Sequence, residues 1–448
     1  MKRSRPTDAD PYLPGHGDVR FGVDHYRLDL AYDLPENRLD AHADLAVTIL
    51  ERTDELVLDL YRLDVTELDV EGAELLSWHH RRDRLTVRLD EVVEPGRSLT
   101  VTVDYRGFPE TVPGPDDPAG WEELTDGVLV AGQPHGAATW FPCNNRAADK
   151  ASYLLTMTTD PEYTVVASGA LEAERPMDDG RRHWTYSMPD PVSPYMMTLQ
   201  IGRYRIDGQD APVPCRIAAP ARLHDATREA FADQPRMIEA FERMFGPYPF
   251  AGYTAVVTDD DLEIPLESAS LSTFGANHAT RSAENQRLIA HELAHQWFGN
   301  SITARQWRDI WLHEGFANYA EWVWSQASGA LPTADCAREN YAQLVELPQD
   351  IVISEPGPHE IFDDRVYIRG ALTLHAMRVA LGDDLFGQVI RRYVADHRHG
   401  VVSTADLEWS AAAVLGVDRA HHLDTTVLRP WLRERPLPPF PEAETVVG

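Results

Sequence analysis

Two histidines four residues apart, with a glutamate beside the first, constrain this chain more than any other stretch: His291-Glu292-Leu293-Ala294-His295. The segment leading into them reads as a helix. Ser282 is a suitable N-cap, Glu284 falls in the first turn, and Gly299-Asn300 supplies a stop. Residues four apart share one face of a helix, so both imidazoles can address a single ion. Glu292, one position round, can reach a water on that ion.

Two imidazoles leave a catalytic zinc one ligand short, because such sites usually combine three protein ligands with one open position. A second helix is expected from Trp311-Leu312-His313-Glu314-Gly315-Phe316-Ala317 to near Gly329, and it carries a candidate. Eighteen residues separate His295 from Glu314, enough for a helix end, a loop and a return. Two histidines and a glutamate are a known catalytic zinc set. The pattern predicts one Zn2+ per chain, held by His291, His295 and Glu314. A lone His-Glu-x-x-His occurs by chance in many helices. The added glutamate, in its Trp-Leu-x-Glu-Gly-Phe-Ala setting, makes the pattern specific.

The stretch from His291 through Gln296-Trp297-Phe298-Gly299-Asn300, followed by Trp311 to Glu321, resembles the zinc aminopeptidases related to aminopeptidase N and leukotriene A hydrolase. The resemblance runs from about residue 20 to about 430. It implies a multidomain α+β protein: a β-rich, sandwich-like N-terminal domain, then a thermolysin-like, mainly helical zinc catalytic domain. The expected boundaries are a loose arm over 1–18, the β-rich domain over 19–206, the catalytic domain over 207–435 and a Pro-rich tail over 436–448.

The residue patterns agree with that order. Tyr26, Leu28, Leu30 and Tyr32 alternate with Arg27, Asp29 and Ala31, and short apolar runs recur at Leu45–Leu50, Leu56–Leu60, Leu85–Leu89 and Leu99–Val103. Many short alternating runs separated by turn signals predict a sheet or sandwich. Residues 207–222 read as a connector. From His224 to Phe245 the pattern is helical, with Pro235 expected to kink or split it.

The resemblance also assigns roles outside the zinc motif. Gln133, ahead of Trp140-Phe141-Pro142-Cys143, matches a residue that helps hold a substrate's amino terminus. Asn145 stands where many members carry Asp. Ile264-Pro265-Leu266-Glu267-Ser268 stands where aminopeptidases of this kind carry Gly-x-Met-Glu-Asn on an edge strand. Glu267 is retained as the anchor for a free α-amino group, while Pro265 brings no N–H. Tyr367, in Tyr367-Ile368-Arg369-Gly370, matches the catalytic tyrosine, with Arg369 replacing Lys. Glu321, two turns beyond Glu314 on the same face, is a candidate to orient a zinc histidine. His397 with His399, and His421 with His422, lack further ligands and rank low as metal pairs.

The chain has 448 residues, with 41 Lys and Arg against 72 Asp and Glu, a net charge of −31. That argues against nucleic acid or an anionic membrane as a partner. Peptides with free amino termini are the expected substrates. Cys143, Cys215 and Cys336 are few and far apart, which fits a reducing compartment. No apolar run follows the basic opening and none approaches a membrane span, so a cytoplasmic protein is expected. Three functions are compatible with these residues: a zinc aminopeptidase, a zinc hydrolase of altered specificity such as an endopeptidase or small-amide hydrolase, and a catalytically silent peptide-binding protein.

Overall fold

The computed structural model describes residues 9–114 and 118–442. The first eight residues of the expected arm and the last six of the expected tail lie outside the described residues. The chain divides into two compact units. One holds the chain to Gln209 with 213–229 and 250–280; the other holds 210–212, 230–249 and everything from Arg281.

The first unit is built of sheets. In strand Phe21–Asp33 the residues Tyr26, Leu28, Leu30 and Tyr32 are buried, while Arg27 and Asp29 between them are exposed. Period-two alternation gives a strand one buried face, and this face packs into the core. The largest sheet has seven strands in the order Ala170–Pro176, Arg182–Val192, Ala151–Thr159, Phe21–Asp33, Arg38–Ile49, Ser98–Gly107 and Asp64–Glu71. Its one parallel pair joins Phe21–Asp33 to Ala151–Thr159, setting Tyr26 opposite Tyr153 with their rings stacked at 4.9 Å. Smaller sheets of five and three strands complete the β-rich region.

Two sequence expectations change. Residues 207–222 are not a plain connector. Tyr204–Gln209 and Cys215–Pro220 pair antiparallel and head a five-stranded sheet with Tyr253–Val257, Leu271–Phe274 and Leu266–Ser268. Short stretches without clear alternation, such as these, become strands when a neighbouring strand supplies the partner hydrogen bonds. The described end of the expected loose arm is tied down: Gly17 N–H donates to Asp59 (2.8 Å) and Asp18 N–H to Asn144 (2.7 Å). In the same five-stranded sheet, Leu266–Ser268 is an edge strand that pairs Glu267 with Ser272.

The second unit is helical. Its helix Gln234–Phe245 carries Pro235 in the first turn, where no N–H partner is needed, and is split there from His224–Ala230, which falls almost wholly in the first unit. Phe241, Phe245 and Tyr248 pack edge-on against Trp297, whose indole N–H donates to the Gly246 carbonyl (3.0 Å). This aromatic cluster anchors the turn that follows His295. No helix among the described residues is long and apolar enough to cross a membrane.

Candidate active site

The His291 helix spans Ala283–Ala294, and the Ser282 hydroxyl accepts from Asn285 N–H (3.0 Å) as its N-cap. The chain then turns at Gly299, whose φ of 118° suits glycine and whose missing Cβ leaves the His295 imidazole unobstructed: a Cβ there would sit 3.3 Å from Nδ1. The return helix spans Trp311–Ser328 and ends at left-handed Gly329. Phe298 and Phe316 stack at 4.1 Å and bind the turn to this helix.

The two helices bring three donor atoms together. His291 Nε2 and His295 Nε2 each lie 3.5 Å from Glu314 Oε2. A tetrahedral ion with bonds of about 2.0–2.1 Å sets its ligands roughly 3.3–3.4 Å apart, so this spacing fits zinc. The other ring nitrogens are committed. His291 Nδ1 meets Glu321 Oε1 at 2.7 Å and His295 Nδ1 meets the Phe298 carbonyl at 3.0 Å. With Nδ1 donating in both rings, both Nε2 lone pairs point to the same place. The electrostatics agree. Burial opposes protonation of His291, yet its bonds to Glu314 and Glu321 carry it well above the ordinary imidazole range. The two carboxylates therefore draw positive charge to this point, and a metal ion would displace the proton from His291 Nε2. Burial holds His295 down to about 4, so it is neutral near pH 7 and able to ligate.

Glu292 is buried, 4% exposed, and desolvation pushes its carboxyl up to about 7, with the negative Glu314 and Glu321 adding to the effect of burial and His291 opposing it. A bound dication would pull that value down. Tyr367 is half-buried in the first turn of helix Asp364–Leu381, its ring parallel to His291 with centroids 6.0 Å apart. His313, next to Glu314, accepts from Ala304 N–H (2.7 Å) and so serves the fold.

Two contributors were not expected from sequence. Arg287 donates to both oxygens of Glu321 (3.2 and 3.1 Å), and Asn318 Nδ2 donates to Oε1 (3.2 Å). Both follow helical spacing, Arg287 four residues before His291 and Asn318 three before Glu321, a signal available once Glu321 is suspected. Within the β-rich unit, Gln133 Nε2 donates to Glu267 Oε1 at 2.8 Å, so two residues 134 positions apart form one polar pair. Asn145 lies elsewhere in that unit's core, donating to the His135 carbonyl (2.7 Å). His397 is buried against Tyr393 rather than at the surface, and neither low-ranked histidine pair joins a metal-ligand group among the described residues.

Comparison with known proteins identifies the architecture. Residues 23–196 match the Peptidase M1 N-terminal domain and residues 229–424 the Peptidase family M1 domain. The structure of an M1 zinc metallopeptidase from Deinococcus radiodurans aligns with a TM-score of 0.87 at 31% identity, covering 97% of this chain and 99% of that one. The chain belongs to peptidase family M1. A mutant of the Deinococcus M1 metallopeptidase, with the substrate Tyr-Ser-Ala bound, aligns with a TM-score of 0.88 at 30% identity, over the same shares of both chains. Leucine aminopeptidase 2-1 of Meyerozyma guilliermondii is 26% identical over 98% of this chain and 73% of its own length. Endoplasmic reticulum aminopeptidase 1 of Homo sapiens is 25% identical over 89% of this chain, which spans only 46% of it. M1 membership implies one catalytic zinc, and the donor set of two imidazoles and a carboxylate suits that ion.

Proposed function

We propose that this M1 chain is a zinc-dependent aminopeptidase that removes the first residue from peptides. The observation that carries this reading is the convergence of His291, His295 and Glu314 on one point, with each imidazole oriented from behind. In this reading those three residues hold the metal. Zinc, when bound, supplies a Lewis acid that polarises the scissile carbonyl and makes water more acidic. Glu292 takes a proton from the attacking water and hands it to the leaving nitrogen. Its burial supports the role, because a carboxylate shielded from bulk water is free to take the proton of the water beside it. The Tyr367 hydroxyl donates to the oxyanion as charge develops on it. Glu321 orients His291.

Gln133 and Glu267 are the proposed anchors for the substrate's terminal ammonium. Their mutual hydrogen bond supports acting as a pair. A mid-chain peptide would leave the Glu267 charge without its cation, so the pair selects for a free terminus. The Deinococcus relative's substrate, Tyr-Ser-Ala, and the names of the curated relatives support peptides as the substrate class. The cytoplasmic assignment rests on three separated cysteines, all buried free thiols.

Pro265, immediately before edge strand Leu266–Ser268, favours a second reading of altered specificity, an endopeptidase or small-amide hydrolase. It removes a main-chain donor where an extended substrate would pair. One experiment separates the readings: hydrolysis of a peptide with a free and with an acetylated amino terminus, with and without chelator. Chelator-sensitive cleavage of the free form alone is expected. Equal cleavage of both forms means that exopeptidase selectivity is lost, and cleavage of neither points to a binding role.

A further inference from the structure

The Tyr367 helix is gripped from two sides. Tyr367 and Gly370, three residues apart, share a face, and Gly370 there meets the Glu314 helix at Gly315. Arg369, two residues after Tyr367, is rotated about 200° from it and points away. Arg369 is only 2% exposed. Its Nε donates to the Trp431 carbonyl (2.7 Å) and its Nη1 to that of Arg435 (2.9 Å); its Nη2 donates to the carbonyls of Pro430 (2.9 Å), Glu434 and Pro436 (3.3 Å). These carbonyls belong to the end of helix Arg429–Arg433 and the chain leaving it. Such carbonyls have no partner within the helix, and together they present partial negative charge, which a guanidinium offsets.

Beyond Pro436 the chain continues across the helix Thr333–Val345 as a fastened strap. The Tyr341 hydroxyl donates to the Pro438 carbonyl (2.9 Å), and the Phe440 ring packs against Tyr341 (5.4 Å) and His375 (6.1 Å). Arg338 lies over the Phe440 ring at 4.5 Å. The expected extended tail is thus, over its described part, bound to the two helices behind Tyr367.

We propose that Arg369 is a positioning residue for the Tyr367 phenol: it fastens the strap to the back of the helix and holds the first turn in register with the zinc ligands. This rests on the oxyanion role of Tyr367 proposed above. First turns fray because their N–H groups lack helical partners, so an external clamp matters most there. A group that acts only in the transition state loses kcat when displaced, while KM changes little. Arg is suited to the task because one rigid fork serves five acceptors, which the three donors of Lys do not match.

The test measures kcat, KM and zinc content for Arg369→Lys and Phe440→Ala, each alone and combined with Tyr367→Phe. Phe440→Ala loosens the strap without removing the guanidinium, so it reports even where the arginine variant folds poorly. Arg369→Lys is expected to lower kcat about tenfold and Phe440→Ala about threefold, with KM and zinc content unchanged. In the Tyr367→Phe background both losses should vanish to within about twofold. The same losses persisting without the phenol, or appearing as lost zinc, would overturn the proposal. Full kcat in Tyr367→Phe alone is a separate failure, which removes the phenol's own role and the positioning role with it.

Discussion

Gly315 and Gly370 press the Glu314 helix and the Tyr367 helix into backbone contact: a Cβ added to either would lie 2.8 Å from the other's Cα. Helices separated by ordinary side chains pack about 8–10 Å apart, and only glycine allows this approach. The contact stands one residue from Glu314 and three from Tyr367, so it fixes their spacing. Gly370→Ala is expected to force the helices apart, costing about 1–3 kcal/mol as overpacking does. Activity should fall with stability, and wild-type melting temperature and kcat in this variant would count against the account.

Glu292→Gln keeps the size of the side chain and removes its basicity. The variant should fold, carry one zinc, and lose about 10²–10⁴-fold in kcat. Metal analysis with steady-state kinetics checks both halves, and substantial residual turnover would sink the general-base role.

Glu321→Ala leaves His291 Nδ1 and Arg287 without the carboxylate that both contact. Zinc affinity is expected to fall about 10–100-fold, the usual cost of losing such an orienting partner. Arg287→Ala should cost far less, since its side chain is 49% exposed and its ion pair is screened. Chelator competition titrations measure both, and unchanged affinity in Glu321→Ala would refute the orienting role.

Glu267→Gln should reduce kcat/KM for a free amino terminus by about 10–100-fold, the range for hydrogen bonds to a charged group. Acetylated peptide should be cleaved no more slowly than by the parent enzyme. Loss of both rates in parallel would mean that Glu267 supports the fold and not the ammonium.

The contributions of His135 and His375 to stability should fall as the solution is acidified from pH 7 to 5. Burial holds both His135 and His375 down to about 4, against an ordinary value of 6.5. Between those values the unfolded chain binds more protons than the folded one, so each histidine's contribution is present above about 6.5 and is lost as pH falls towards 4. By pH 5 this amounts to about 2 kcal/mol per histidine. His375→Leu should flatten the loss between pH 7 and 5 by that amount in denaturant titrations, and an unchanged pH slope would show that this imidazole titrates freely.

Where the chemistry is local, sequence and structure coincide. His291 and His295 are one helical turn apart, Ser282 caps their helix, and Gly299 and Gly329 close the turns, all within reach of short-range sterics and capping. The alternation in Phe21–Asp33 is local in the same sense. By contrast, residues 207–222 carry no strong strand signal and gain their strand state from Tyr253–Val257, whose position they cannot specify alone.

The amino-acid sequence by itself determined that His291 and His295 share a helix face with Glu292 beside them, that Glu314 opens the next helix, and that alternating periodicity gives way to helical periodicity, because each is written in short-range spacing. Tertiary structure alone decided that Gln133 meets Glu267, that Gly315 admits Gly370, that Arg287 supports Glu321 and that Arg369 grips the carbonyls of 430–436. Those contacts join residues 34 to 134 positions apart in the chain. They depend on how whole faces of helices and sheets fit together, a property of packed surfaces that no local stretch of sequence carries.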